Sequence, residues 1–189
     1  SLQVPMLVSE MEPRELRGRL AADGVGLDFG AARVRVRSEA PGFDDAFATV
    51  YRGFEVSSPE GFFDVTVRLR RAQGSRRYLR PQVELVADGG AVFAPFPADT
   101  HLPLLEWGIN YAIASRMFCH LLLHAGVVER GGRAIVMPAM PGSGKSTLTA
   151  ALALRGFRLL SDEFGVVSLS DSRLLRMLRP VALKNESID

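Results

Sequence analysis

One stretch of this chain has residue types and spacing suited to chemistry: Ala139-Met140-Pro141-Gly142-Ser143-Gly144-Lys145-Ser146-Thr147. An apolar run, Arg133 to Met137, precedes it, and a helical pattern, Leu148 to Arg155, follows and is closed by Gly156. Strand, glycine-bearing loop, Gly-Lys-Ser and helix form the context of a phosphate-binding loop. Gly142 and Gly144 let the backbone turn with its N–H groups inward, where side chains would block an anion. The N-terminus of the following helix adds a fixed partial positive charge. Lys145 supplies a compact point charge for the terminal phosphates of ATP, and Ser146 offers a hydroxyl to Mg²⁺. Ala139 stands where the usual pattern has its first glycine, which requires a negative φ there. The whole loop, Ala139 through Thr147, is expected to cradle the nucleotide.

Asp162 lies seventeen residues after Lys145 and is followed by Glu163, at the end of Phe157 to Ser161. A helix ending near Arg155, a glycine stop and a short strand bring the chain back beside the loop, which puts both carboxylates near the phosphates. One acid is suited to hold Mg²⁺ and the other to accept a proton from an attacking hydroxyl. The plainer alternatives are a solvated turn for the acids and a helix-capping turn for the glycines. With the two features one helix apart, phosphate chemistry is favoured. His124, inside the apolar run Leu121 to Val128, reads on its own as a core histidine.

These residues need elements to hold them. Leu121 to Val128, the turn Glu129-Arg130-Gly131-Gly132 and Arg133 to Met137 make an antiparallel hairpin that feeds the loop. The Pro-rich stretch Pro95 to Pro103 is the expected boundary between a domain of residues 1–100 and one of residues 101–189. Pro103 opens a helix running to about Cys119, with Leu104, Trp107, Tyr111, Ala114 and Phe118 as its buried stripe. Near the N-terminus, Ser9 and Glu12 have capping-box spacing, Pro13 suits a first turn and Asp23-Gly24 supplies a stop, so a short helix is expected. Strands follow at Ala32 to Ser38, Ala46 to Phe54, Phe62 to Arg70, Tyr78 to Ala87 and Ala91 to Ala94, forming a small antiparallel sheet. Six arginines between Arg68 and Arg80, with no acid among them, read as a solvated hairpin face; a docking patch for an acidic partner is the alternative. A last strand is expected over Arg173 to Leu178.

The chain has 189 residues, 47% hydrophobic and 23% charged, an ordinary globular composition that excludes disordered, collagenous and disulfide-stapled proteins. A single cysteine, Cys119, cannot close an internal disulfide, which points to a reducing compartment and to the cytoplasm. Ser1 to Leu20 lacks the basic start and apolar run of an export signal. Ile109 to Val128 carries Arg116, His120 and His124, so no membrane span is expected. The net charge of +2 creates no basic field for nucleic acid. The sequence leaves room for a homo-oligomer. Of 23 basic residues 21 are arginine, so Lys145 and Lys184 are exceptions in a chain that otherwise places positive charge with arginine.

Residues 101–189 resemble the HPr kinase/phosphorylase family, and more closely its HprK-related kinase A branch. The resemblance lies in His124-Ala125-Gly126, the Gly-Ser-Gly-Lys-Ser loop, Arg155-Gly156-Phe157-Arg158-Leu159-Leu160 and Asp162-Glu163. It implies an α/β fold: a P-loop mixed sheet like that of HPr kinase and phosphoenolpyruvate carboxykinase, here preceded by the small antiparallel β-rich N-terminal domain. It also implies transfer of the γ-phosphoryl group of ATP, with Mg²⁺, to a serine hydroxyl of a partner protein. By the resemblance Asp162 is the general base, Glu163 stands where the family has a second aspartate assisting the metal, and His124, 21 residues before the lysine, lies near the active site. The family's later, substrate-contacting segment has no counterpart before Asp189, so the kinase domain is expected to be truncated at its C-terminal end. Two alternatives stand beside this. One is a small-molecule kinase of the shikimate or gluconate type, whose loop, however, lies near the N-terminus. The other is a nucleotide-binding sensor or interaction module without catalysis.

Overall fold

The computed structural model describes residues 6–73, 81–140 and 142–180. The protein is mixed α/β with two sheets, one in each of two compact units. One unit holds the chain up to Asp28 together with Ala32–Arg116; the other holds Phe29–Ala31 together with the chain from Met117. The division therefore follows the long central helix rather than preceding it at Pro95 to Pro103. Among the described residues no helix is long and apolar enough to cross a membrane.

The first unit begins with a single 3-10 turn, Val8–Glu10, whose Glu10 carboxylate accepts the Leu7 N–H at 2.7 Å. Glu10, not the Ser9 and Glu12 pair, caps this entry. Helix α1 (Pro13–Ala21) follows, with Pro13 in its first turn and Leu16 and Leu20 buried. It ends where Gly24, at φ +89°, donates its N–H back to the Arg19 carbonyl at 2.6 Å. Strands β1 (Val25–Asp28) and β2 (Arg33–Ser38) pair antiparallel. Next come α2 (Phe43–Val50), β3 (Val56–Ser57), β4 (Val65–Arg71), β5 (Gln82–Ala87), β6 (Gly90–Ala91), β7 (Phe96–Pro97) and α3 (His101–Ala114). The sheet runs β3-β1-β2-β4-β5-β6, with β7 also on β5.

Three sequence expectations fail in this unit, each for a physical reason. Ala46 to Phe54 is not a strand. Phe43, Phe47 and Tyr51 recur every fourth residue, all three are buried, and their rings stack at 5.7 and 4.8 Å, so α2 forms there. The sheet is mixed rather than antiparallel, because α2 serves as a crossover that brings β4 alongside β2 in parallel, with Val34 opposite Val65 and Val36 opposite Val67. In α3 the buried stripe is Leu104, Leu105, Ile109, Ala112 and Ile113, while Trp107 and Tyr111 are half-exposed and lie edge-on to Phe96 and Phe93. Gly108 sets that phase, since a Cβ there would collide with the Leu85 side chain of β5. Alternation within the strands holds as expected. Val34, Val36, Val65, Val67, Leu69, Val83 and Leu85 are buried beneath the helices. Tyr78 to Arg80, and with them Arg76 and Arg77 of the arginine run, lie outside the described residues.

The second unit is built on β8 (His120–Arg130), an eleven-residue strand paired along both edges. On one edge lies β9 (Arg133–Pro138), joined through Gly131 and Gly132 at φ +62° and +77°, the backbone a two-residue hairpin turn requires. Helix α4 (Lys145–Leu154) then leads to β10 (Arg158–Ser161) and β11 (Phe164–Ser168), which share the other edge of β8; β12 (Leu174–Leu175) pairs with β11. Because β9 and β10 are each antiparallel to β8, they run in the same direction with one strand between them. All neighbouring strands described in this sheet pair antiparallel, so the mixed sheet expected for residues 101–189 is not found here. The interposed β8 keeps the two parallel strands from touching.

Candidate functional site

The loop after β9 is shaped by its own short-range bonds. Among the described non-glycine residues only Asp88 and Ser172 have positive φ, so Ala139 has the negative φ its side chain needs. Ser143 donates both its N–H and its hydroxyl to the Met140 carbonyl, at 3.2 and 2.7 Å, closing a tight turn. Gly142 and Gly144 take φ of +82° and +83°, the left-handed region, and a Cβ at either would meet open space. Their glycines therefore serve backbone conformation, not packing. Pro141 lies outside the described residues. Gly144 caps α4, with the Leu148 N–H on its carbonyl at 2.9 Å, so Lys145, Ser146 and Thr147 form the first helical turn. In that turn the helix carries its partial positive charge.

Lys145 and Asp162, seventeen residues apart in sequence, are brought together and buried. Their side chains are 9% and 5% exposed. Lys145 Nζ donates to the Asp162 backbone carbonyl and stands 3.7 Å from its carboxylate Oδ1. Oδ1 accepts no hydrogen bond among the described residues. A buried carboxylate oxygen with only a longer-range cation beside it is an acceptor held in reserve.

Glu163 goes elsewhere. Its carboxylate lies 3.7 Å from His124 Nδ1, both side chains being about half-exposed. His124 sits on β8 directly opposite Phe164 of β11. The two acids part at a bend between β10 and β11, just after the register along β8 shifts between Leu159 and Ser161. Ser161, buried, fastens that bend by accepting the N–H groups of Glu163 and Phe164 at 3.3 and 3.1 Å. The structure thus joins Lys145 with Asp162 and His124 with Glu163. Ser146, half-buried, makes no hydrogen bond to either acid among the described residues.

Spacing alone gives no role to Ser161, Thr149 or Gly126, yet all three position the site. Thr149 is fully buried, and its hydroxyl donates to the Lys145 carbonyl at 2.8 Å. Gly126, on β8 beneath it, leaves the room Thr149 occupies. The available signals were a threonine four residues after Lys145 on the same helix face, and a serine closing the apolar run before the acids.

Among the described residues no group of three or more His, Cys, Asp or Glu is arranged to hold a metal ion. A protein cage is not what Mg²⁺ ordinarily uses; it binds through one or two carboxylates plus phosphate oxygens and water. The unbonded Asp162 Oδ1 fits that requirement. Comparison with protein-family models, with curated proteins and with solved structures returns no match.

Proposed function

We propose that this chain is a P-loop kinase that binds ATP on the 139–147 loop and transfers its γ-phosphoryl group to a serine hydroxyl of a partner protein. This is the activity implied by the resemblance to the HPr kinase/phosphorylase family. The observation that carries it is the buried approach of Lys145 to Asp162 at the N-terminus of α4. A structural turn has no use for an ammonium and a carboxylate withdrawn from water, whose burial costs several kcal/mol per ion, of order 5. A phosphate site does.

In this mechanism Lys145 Nζ leaves Asp162 for the terminal phosphates, and the first-turn amides of α4 face the same charge. Asp162, released, accepts the proton of the serine hydroxyl as its oxygen bonds to the γ-phosphorus and the bond to the departing ADP oxygen breaks. His124 holds Glu163 in place. Mg²⁺, when bound, neutralises charge on the phosphate oxygens, and Ser146, Asp162 and Glu163 are the residues that would hold it. Most of the rate comes from positioning and charge stabilisation.

The test is transfer of label from γ-³²P-ATP by the full chain, offered cell-lysate proteins in one series and a metabolite panel in another. Label on protein is expected. By analogy with other single electrostatic contacts to a transition state, Lys145→Ala lowers transfer about 10²- to 10³-fold. Asp162→Asn lowers it with ATP affinity retained. Transfer by Lys145→Ala at the parental rate refutes the assignment. Label confined to a metabolite replaces the acceptor class, and ATP binding with no turnover replaces the kinase by a nucleotide sensor.

A further inference from the structure

We propose that the first unit carries a separate ligand site, for an organic carboxylate with an apolar body, at the carboxyl end of β4. This does not depend on the phosphate loop. In α/β sheets, ligands settle outside the carboxyl ends of parallel strands, and β2 and β4 are the parallel pair here. At that end lies a cavity of about 540 Å³, within the usual size range of small-molecule sites. Arg71, Ala72 and Gln73 line it together with their strand neighbours Gln82 and Val83, and Ala40, Pro41 and Ala98 also border it. Backbone bonds hold the walls: the Ala72 N–H reaches the Gln82 carbonyl at 2.9 Å, and the Ala98 N–H the Pro81 carbonyl at 3.0 Å.

The chemistry follows from Arg71. Along β4 the core-facing positions are Val65, Val67 and Leu69, all buried, and the next in that series is Arg71. A period-two apolar pattern is broken by a charge where it meets the cavity. Neighbouring arginines are neutralised, Arg68 by Glu39 at 2.5 Å and Arg70 by Glu84 at 2.7 Å. Arg71 pairs with no carboxylate among the described residues. An unmatched guanidinium binds a carboxylate through two parallel N–H donors. Ala40, Pro41, Ala72, Val83 and Ala98 supply apolar contact, and the carboxamides of Gln73 and Gln82 can take remaining polar groups.

Isothermal titration of the full chain with octanoate, and with octanamide as its neutral counterpart, tests this. Octanoate is expected to bind at least about tenfold tighter, the ratio equivalent to about 1.4 kcal/mol. Arg71→Gln, at an exposed side chain, removes that preference while leaving octanamide binding in place. Ala98→Leu, which fills the cavity, weakens both. The proposal is overturned if neither probe binds, if octanamide binds as well as octanoate, or if Arg71→Gln keeps the preference. Tighter binding of a hexaglutamate peptide than of octanoate overturns it in favour of a docking surface for acidic polypeptide.

Discussion

Gly126→Ala tests how β8 holds α4, and through it Lys145. Gly126 lies mid-strand opposite Met137. A Cβ there would fall inside 3.0 Å of Thr149 Oγ1, a separation real Cβ atoms essentially never show, with Met137 Cε at 3.4 Å and Lys145 Cγ at 3.5 Å. Thr149 cannot swing aside cheaply, since it is β-branched, fully buried, and bonded through its hydroxyl to the Lys145 carbonyl. The helix itself must then move by about 1 Å to restore ordinary contact. Overpacking of this kind costs about 1–3 kcal/mol, against about 0.4–1 kcal/mol regained by restricting the unfolded chain. The net loss is about 1–2 kcal/mol, a fall in Tm of roughly 2–8 °C for a chain of this length. Urea denaturation of Gly126→Ala, Thr149→Ala and the double variant isolates the contact. Thr149→Ala alone loses about 1 kcal/mol for its hydrogen bond. The double variant is expected to be more stable than the sum of the singles by about 1 kcal/mol or more, because the clash needs both partners. A midpoint for Gly126→Ala equal to the parent's, or strict additivity, refutes this account of helix placement.

Ser161→Ala removes the acceptor that fastens the gap between β10 and β11, leaving two N–H groups unanswered. A loss of about 1–3 kcal/mol is expected, with faster hydrogen exchange at Glu163 and Phe164; unchanged exchange counts against the role. In the turn between β11 and β12, the Ser168 hydroxyl, followed by the Arg173 N–H, holds the Asp171 carboxyl below its ordinary value. A depressed folded value means that this contribution is present above the unfolded pKa and lost as pH falls through the folded one. Asp171 lies at the surface, so the readout is its own titration by NMR. Ser168→Ala should raise that midpoint, and an unmoved midpoint contradicts the assigned cause.

Much of the fold is legible where one periodicity is unopposed. Pro13 with Leu16 and Leu20 marks α1, alternating valines mark β2 and β4, and Gly131-Gly132 marks the hairpin of β8 and β9. Residues 43–51 defeat the reading because Ala46, Phe47, Thr49 and Val50 include good strand formers, while the deciding feature, rings four apart, extends back to Phe43. Parallel pairing of β2 with β4 is set by where α2 packs, which no local pattern records. The stripe of α3 is misphased for a related reason: Trp107 and Tyr111 outrank Gly108 in hydrophobicity, yet the missing Cβ at Gly108 turns that face toward Leu85.

The site is legible because distance along a strand-helix-strand unit is constrained. The interval from Lys145 to Asp162 is consumed by α4, the turn at Gly156 and β10. Since β10 runs in the same direction as β9, Asp162 arrives beside the loop lysine. What spacing cannot supply is the orientation of consecutive side chains in a bend between two strands. Regular alternation would assign Asp162 and Glu163 to opposite faces, but these two residues sit between strands, where Ser161 rather than a ladder sets the backbone. The outcome is a division of labour: one acid is buried against Lys145, the other half-exposed against His124. The preference for lysine at position 145 then has a structural basis. Its amine reaches a backbone carbonyl and the same residue's carboxylate from one point, in a space where its side chain is 9% exposed. A planar guanidinium, wider and built for a bidentate partner, does not match that geometry. A chain that uses arginine almost everywhere else has lysine where one point charge meets both the carbonyl and the carboxylate of Asp162.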